Sequence, residues 1–293
     1  MSTFDKDSNP LAEQEQLQAH IDRVLATQAP TGFEMDITYR IVKRLFKPTV
    51  LGVENIPERP CLFIGNHSLF ALDGLVLNPL MLVRYGRFLR AMGDKFLFAN
   101  EGIADYVMKR GATMGHPEVC KALMADGQDI LVFPGGAHEA VKRASEMYKL
   151  QWKERYGFVK LAAENGYTIM PFGMVGPDEF YAHYLEGDEL PDSALGQILR
   201  KFGLLDDNTR TDTIPPIPLG ALGTLFPKPQ PCYVGFGKPI SLAKYKGKKL
   251  TSAQLKRIRG EVAEQIEEQL AELLLVREQT RREDGLLRRI LSL

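Results

Sequence analysis

His67 and Asp73 have the residue types and spacing to move a proton, within the run Gly65-Asn66-His67-Ser68-Leu69-Phe70-Ala71-Leu72-Asp73-Gly74. An imidazole titrates near neutrality and can take a proton from a hydroxyl. A neighbouring carboxylate fixes its tautomer and balances the imidazolium that forms. The six-residue offset sets a condition. Along a continuous helix six residues turn through about 600°, which points the two side chains apart. They meet only where the backbone bends between them. Without that bend they are a surface histidine and a helix N-cap aspartate.

The second chemical run is Val132-Phe133-Pro134-Gly135-Gly136-Ala137-His138-Glu139. Pro134 stops a strand, and the two glycines allow backbone conformations closed to other residues. Amides exposed at such a turn, opening towards a helix, can bind a phosphate or an oxyanion. The alternative is a tight strand-to-helix turn with no ligand.

The elements that must position these runs follow from the spacing of apolar residues. Cys61 to Gly65, Asp129 to Pro134, Thr168 to Phe172 and Cys232 to Phe236 read as buried strands, with a weaker one over Arg87 to Met92. Helical patterns lie between them at Leu72 to Val83, His116 to Ala125 and Trp152 to Asn165. Strands alternating with helices predict an α/β fold: a mixed, mostly parallel sheet covered by helices on both faces. Amphipathic helices are expected at the amino end, over Leu11 to Thr27 and Phe33 to Lys47, and a long helix from Thr251 to about Arg282. The chain thus divides into an N-terminal helical segment (1–47), an α/β domain (48–250) and a C-terminal helix with a basic tail (251–293). Residues 176–230, rich in Pro, Gly and Asp, read as an irregular excursion over the surface with a functional flap as its use.

In order and spacing these motifs resemble the glycerolipid acyltransferases. The family's first motif is Asn-His, a spacer and Asp, matched by Asn66, His67 and Asp73. Its third is Phe-Pro-Glu-Gly followed by Thr-Arg, matched by Phe133 to Glu139, and its fourth is an apolar strand ending in proline, matched by Ile169-Met170-Pro171-Phe172. The second is the loosest match, Val107 to Gly115, with Lys109 and Arg110 as its basic residues. The resemblance spans roughly residues 48 to 240. It implies transfer of an acyl group from acyl-CoA or acyl-carrier protein to a lipid hydroxyl, with His67 and Asp73 catalytic. The substrate-binding residues it implies are Asn66, Lys109, Arg110, Phe133, Pro134, Gly135, Gly136, His138 and Glu139. No cofactor is implied beyond the thioester co-substrate. Two departures, a five-residue spacer and Gly135 and His138 in place of Glu and Arg, resemble the diacylglycerol acyltransferase-like and phytyl-ester branch. A neutral His lacks the bidentate fork of Arg. That weakens the case for a phosphorylated acceptor and raises that of a lysophospholipid or neutral glyceride.

Composition narrows the remaining classes. Of 293 residues 44% are hydrophobic and 25% charged, and Lys+Arg and Asp+Glu are both 37, so no basic excess points to nucleic acid. Three distant cysteines, none in a Cys-x-x-Cys pair, fit neither a disulfide framework nor a zinc site. Cys61 reads as a buried structural thiol. His116, His138 and His183 lack metal-ligand spacing, and His20 is expected to face solvent. No apolar run reaches 18 residues, and the polar opening lacks the order of a secretory signal. The expected location is cytoplasmic, held peripherally at the inner face of a membrane by the basic helix Phe33 to Lys47 and the tail Gly285 to Leu293. Two other functions remain open. One is hydrolysis by the same His–Asp pair, although no Gly-x-Ser-x-Gly elbow is present. The other is lipid binding without turnover.

Overall fold

The computed structural model describes residues 10–30, 33–201 and 214–280. Its strands are β1 (Thr49–Leu51), β2 (Cys61–Ile64), β3 (Leu89–Gly93), β4 (Ala112–Met114), β5 (Asp129–Val132), β6 (Thr168–Val175), β7 (Ala182–Leu185), β8 (Ile217–Leu219), β9 (Tyr233–Phe236) and β10 (Ile240–Ser241). The α-helices are α1 (Pro10–Ala26), α2 (Phe33–Phe46), α3 (Leu72–Tyr85), α4 (Glu101–Lys109), α5 (Pro117–Ala125), α6 (Gly136–Ala140), α7 (Gly157–Asn165), α8 (Ala194–Lys201) and α9 (Ser252–Thr280).

The main sheet has the order β1-β9-β6-β2-β5-β3-β4, and β10 pairs with the start of β6. Strands β6, β2, β5, β3 and β4 are parallel neighbours. β9 runs antiparallel to β6, and β1 runs parallel to β9. The α/β architecture expected from the alternating pattern is the one observed. Side chains of a strand alternate between faces, and both faces here are dry. Leu62 and Ile64 join a core with α1, α5, α7 and α9. Cys61 and Phe63 join a second core with α2 and α3. That is why the central strands read as unbroken apolar runs.

The long helix α9 buries Leu255, Ile258, Val262, Ile266, Leu270 and Leu273 on one face. It crosses the sheet over the register pair Gly173 and Gly235, where an added Cβ would lie 3.1 Å from the Gln269 Cβ and 2.5 Å from its Oε1. Glycine at both positions lets helix and sheet approach.

Three expectations change. The helix expected from Trp152 begins at Gly157, and Trp152 is buried in the turn before it. The excursion after β6 is not irregular throughout: β7 and β8 pair antiparallel, α8 lies between them, and Leu190 and Ile214 form a small core. His20 does not face solvent. Its Nε2 accepts the Met114 N–H at 3.2 Å, its ring meets Phe98 edge-on, and burial lowers its pKa. The same dock buries Arg90 of β3, whose guanidinium donates to the carbonyls of Val24 (2.7 Å) and Thr27 (3.0 Å) at the end of α1. Burial brings Arg90 down to about 10. The tail from Gly285 lies outside the described residues.

Candidate functional site

The site forms at the carboxyl ends of β2, β5 and β6, where open α/β sheets collect functional residues. β2 ends at Ile64 and leads into Gly65, where an added Cβ would lie 2.4 Å from the Phe172 ring. Asn66 then locks the chain to β6. Its Nδ2 donates to the Met174 carbonyl at 3.0 Å, and its Oδ1 accepts the Met174 N–H at 2.8 Å. Between His67 and Asp73 the backbone makes the required bend. Phe70 and Ala71 are both left-handed, with φ of 58° and 55°. Such values in non-glycine residues cost of order 1–3 kcal/mol each and persist where surrounding contacts impose them.

The bend brings Asp73, in the first turn of α3, back beneath the histidine. Its Oδ2 lies 2.8 Å from His67 Nδ1 and accepts the Ser68 N–H at 2.5 Å, while its Oδ1 accepts the Gly74 N–H at 2.6 Å. Ser68 Oγ accepts the Asp73 N–H at 3.3 Å. Asp73 is buried and His67 is slightly exposed. A carboxylate accepts only, so Nδ1 carries the ring proton and Nε2 holds the lone pair. Among the described residues Nε2 has no hydrogen-bond partner. The ring stacks on Phe133, with centroids 4.3 Å apart and planes within 7°.

A buried polar network grips the His67 backbone from behind. Glu139, fully buried, accepts the His67 N–H at 2.9 Å on Oε1 and the Gln151 N–H at 3.3 Å on Oε2. Burial pushes its carboxyl up to about 7, against the opposing pull of Lys142. Lys142 donates to the His67 carbonyl and, at 2.7 Å, to Asp178 Oδ1. Asp178 Oδ2 accepts the Tyr148 N–H at 2.8 Å, and burial raises the Asp178 pKa. Glu139 and Lys142, three residues apart, thus hold both ends of one residue's backbone.

The Pro-Gly-Gly run turns between β5 and α6. The Gly136 N–H donates to the Phe133 carbonyl at 3.0 Å, so that amide is taken and does not face the site. Gly136 has a φ of 52°. At Gly135 an added Cβ would lie 1.9 Å from Glu139 Oε2. The glycine is required by the buried carboxylate beside it. Arg155 covers the turn, donating from Nη1 to the Pro134 carbonyl at 2.7 Å. A cleft of about 490 Å³ opens there, lined by Val132, Phe133, Pro134, Arg155, Tyr156 and Lys160 among others.

A family model for acyltransferases matches residues 47–175, which contain both runs. An uncharacterized protein of Mycobacterium tuberculosis is 30% identical over 255 residues, 83% of this chain and 67% of that protein. The chain belongs to the acyltransferase family. It is also 28% identical over 246 residues to phytyl ester synthase 1, chloroplastic, of Arabidopsis thaliana, covering 78% of this chain and 34% of that protein. A Gallus gallus DGAT1/2-independent enzyme synthesizing storage lipids is 32% identical over 120 residues, 41% of this chain and 36% of that protein. The chain thus spans about a third of the phytyl ester synthase. Among solved structures, the 1-acyl-sn-glycerophosphate acyltransferase PlsC of Thermotoga maritima aligns with a TM-score of 0.47 at 14% identity, covering 89% of this chain and 82% of that one.

Within this acyltransferase fold the residues expected to bind substrate part company. Phe133 stacks on His67, and Pro134, Gly135 and Gly136 continue the same turn into α6, which carries His138. Asn66 spends its whole amide on Met174, and Glu139 has no exposed surface, so both position the loop that carries His67. Lys109 and Arg110 do not join the site. They precede β4, which runs parallel to β3, β5 and β2, whereas His67 and Phe133 follow β2 and β5. They therefore lie at the opposite edge of the sheet. There Arg110 pairs with Glu34 of α2, and its carbonyl accepts from Asn78 at 2.7 Å. Sequence reasoning missed Lys142, Asp178 and Arg155. Only Lys142 carried a signal, its helical spacing from Glu139.

Proposed function

We propose that this chain transfers a fatty acyl group from acyl-CoA or acyl-carrier protein to the hydroxyl of a lipid acceptor, by general-base catalysis at a membrane surface. The observation that carries the reading is the His67–Asp73 contact of 2.8 Å through Nδ1, which leaves Nε2 open. Nε2 takes the proton from the acceptor hydroxyl as its oxygen attacks the thioester carbonyl. Asp73 balances the imidazolium. The tetrahedral intermediate then expels the thiolate, which recovers that proton from His67, leaving an ester and a free thiol. Glu139 and Lys142 hold the His67 backbone so that the ring stays stacked on Phe133.

The acceptor is a glyceride, a lysophospholipid or a long-chain alcohol. His138 in place of an arginine, together with the ester and storage-lipid synthesis of the plant and avian relatives, favours an acceptor that bears no phosphate monoester. No described helix is long and apolar enough to cross a membrane. α2 instead exposes Phe33, Ile37, Ile41 and Leu45 along one stripe, flanked by Arg40, Lys43, Arg44 and Lys47. Incubation of the chain with labelled acyl-CoA or acyl-carrier protein, together with lysophospholipid, monoacylglycerol, diacylglycerol and long-chain alcohol, tests the reading. Labelled ester is the expected product. Labelled free fatty acid alone would transfer the site to a hydrolase.

A further inference from the structure

Beyond the α2 stripe, three of the most exposed large apolar side chains among the described residues share one short loop. Gly220 to Phe226 reads Gly-Ala-Leu-Gly-Thr-Leu-Phe, with no charge, and exposes Leu222, Leu225 and Phe226 by 70%, 76% and 78%. The loop is held by its own bonds. Gly220 N–H donates to the Thr224 carbonyl at 2.7 Å, Ala221 N–H to the Phe226 carbonyl at 2.8 Å, and Phe226 N–H to Thr224 Oγ1 at 3.2 Å. Leu222 sits at a φ of 53°, a left-handed conformation that a leucine adopts only when surrounding bonds impose it. A backbone fixed in this way displays three apolar side chains to solvent instead of folding them inward. Apolar surface displayed together on a soluble protein marks a contact site.

The surroundings of the loop say what it contacts. Tyr181 donates its hydroxyl to the Leu225 carbonyl at 2.8 Å, and its ring is met edge-on by Phe70, centroids 5.6 Å apart. Phe70 is itself half exposed and lies in the bend between His67 and Asp73. On the other side the Lys228 N–H donates to the Phe180 carbonyl at 2.8 Å, and Phe180 stacks on Phe46, the last residue of α2, at 4.3 Å. The loop is therefore joined through Tyr181 to the bend between His67 and Asp73 and, from the adjoining Lys228, through Phe180 to the end of α2, whose apolar stripe is flanked by Arg40, Lys43, Arg44 and, just past the helix, Lys47. Those cations complement anionic lipid headgroups, and apolar side chains between them complement acyl chains. The loop itself carries no charge, so it offers a folded protein partner little of the polar rim such interfaces use.

We propose that the 220–226 loop is a lipid-inserting element that seats the mouth of the catalytic site on an anionic membrane, with the α2 stripe as its second point of contact. This rests on the membrane reading of the preceding subsection and extends it to residues outside the segment matched by the family model. A hydroxyl acceptor then reaches Nε2 from the bilayer past Phe70 without crossing water.

Two variants test it. Leu222→Ser/Leu225→Ser/Phe226→Ser removes the three side chains, each of which contributes about tenfold or more to partition when buried. The partition coefficient onto phosphatidylglycerol–phosphatidylcholine vesicles, read by flotation, should fall by about a thousandfold, with the melting temperature held. Turnover of a vesicle-embedded acceptor should fall with it, while turnover of a short-chain, water-soluble alcohol and acyl-CoA stays. Phe226→Trp supplies a reporter, since the chain has one other tryptophan, Trp152, which is buried. Emission from the introduced indole should shift to the blue on vesicle addition and be quenched by brominated lipid. Unchanged flotation of the triple variant, or an F226W emission blind to vesicles, overturns the proposal. So does loss of a dimer in the triple variant with vesicle binding intact, which would make the loop a contact between copies. Absence of turnover on every acceptor, with flotation still dependent on the loop, refutes the catalytic reading alone.

Discussion

Asp73→Asn separates the charge of the aspartate from its shape. Asp73 receives three donors on two oxygens: Ser68 N–H and His67 Nδ1 on Oδ2, and Gly74 N–H on Oδ1. An amide has one acceptor oxygen. With that oxygen in the Oδ2 position, its NH2 faces the Gly74 N–H, a donor against a donor, at a cost of about 1–3 kcal/mol in stability. With the NH2 there instead, His67 must present a lone pair at Nδ1 and carry its proton on Nε2, where it no longer accepts from a hydroxyl. In both arrangements the imidazolium formed during transfer loses its counter-charge. A full charge pair at about 4 Å in an effective dielectric of about 20 amounts to roughly 4 kcal/mol, or about a thousandfold in rate. We expect kcat for ester formation to fall about 10³-fold with KM for both substrates nearly unchanged, and a lower Tm in a protein still folded at 25 °C. Initial rates with labelled acyl-CoA and a saturating acceptor measure this. A variant within about tenfold of the parent would refute the role assigned to the carboxylate.

Three further outcomes follow from the same geometry. Gly135→Ala places a Cβ 1.9 Å from Glu139 Oε2 and 2.3 Å from its Cβ, so denaturant unfolding should show a loss towards or beyond the upper end of about 1–3 kcal/mol; a parent-like midpoint would mean the loop yields freely. Lys109→Ala/Arg110→Ala, at the far edge of the sheet, should leave kcat and KM within about twofold, and a tenfold or larger rise in KM for a phosphate-bearing substrate would return those residues to the site. Glu139→Gln bears on pH dependence. Burial holds the folded-state pKa of Glu139 at about 7, above the 4.5 it would otherwise have. The folded chain therefore binds the extra proton between those values, and the stability this gives is complete below about 4.5 and lost as pH rises through about 7. The Tm of the parent minus that of the Gln variant should fall from pH 5 to pH 8; parallel curves would contradict the assignment.

Much of this architecture was legible because the central strands are apolar on both faces and end at Gly or Pro. β2, β5, β6 and β9 are such runs. β1, β4 and β10 are two or three residues long and exist through partners far away in sequence, so no local window reveals them. The His67–Asp73 pair was legible as residue types, and the condition of a bend between them is met by Phe70 and Ala71, whose left-handed backbone no propensity announces. Strand direction was the hidden variable for Lys109 and Arg110: a residue before a parallel strand and one after its neighbour lie at opposite edges. Glu139 was singled out, but its inward orientation depends on Gly135 making room. Asp178 and Arg155 reach the site from loops 40 and 22 residues beyond His138 and Phe133, respectively, and only the folded chain brings them there.

The central claim is that the His67 Nε2 takes the proton of a lipid hydroxyl. It is met most directly by a single-turnover measurement on His67→Ala with labelled acyl-CoA, lipid acceptor and vesicles, alongside flotation of the same protein. The account predicts that ester formation disappears into background while vesicle binding and melting temperature stay with the parent. Ester formed at the parental rate by that variant would contradict it.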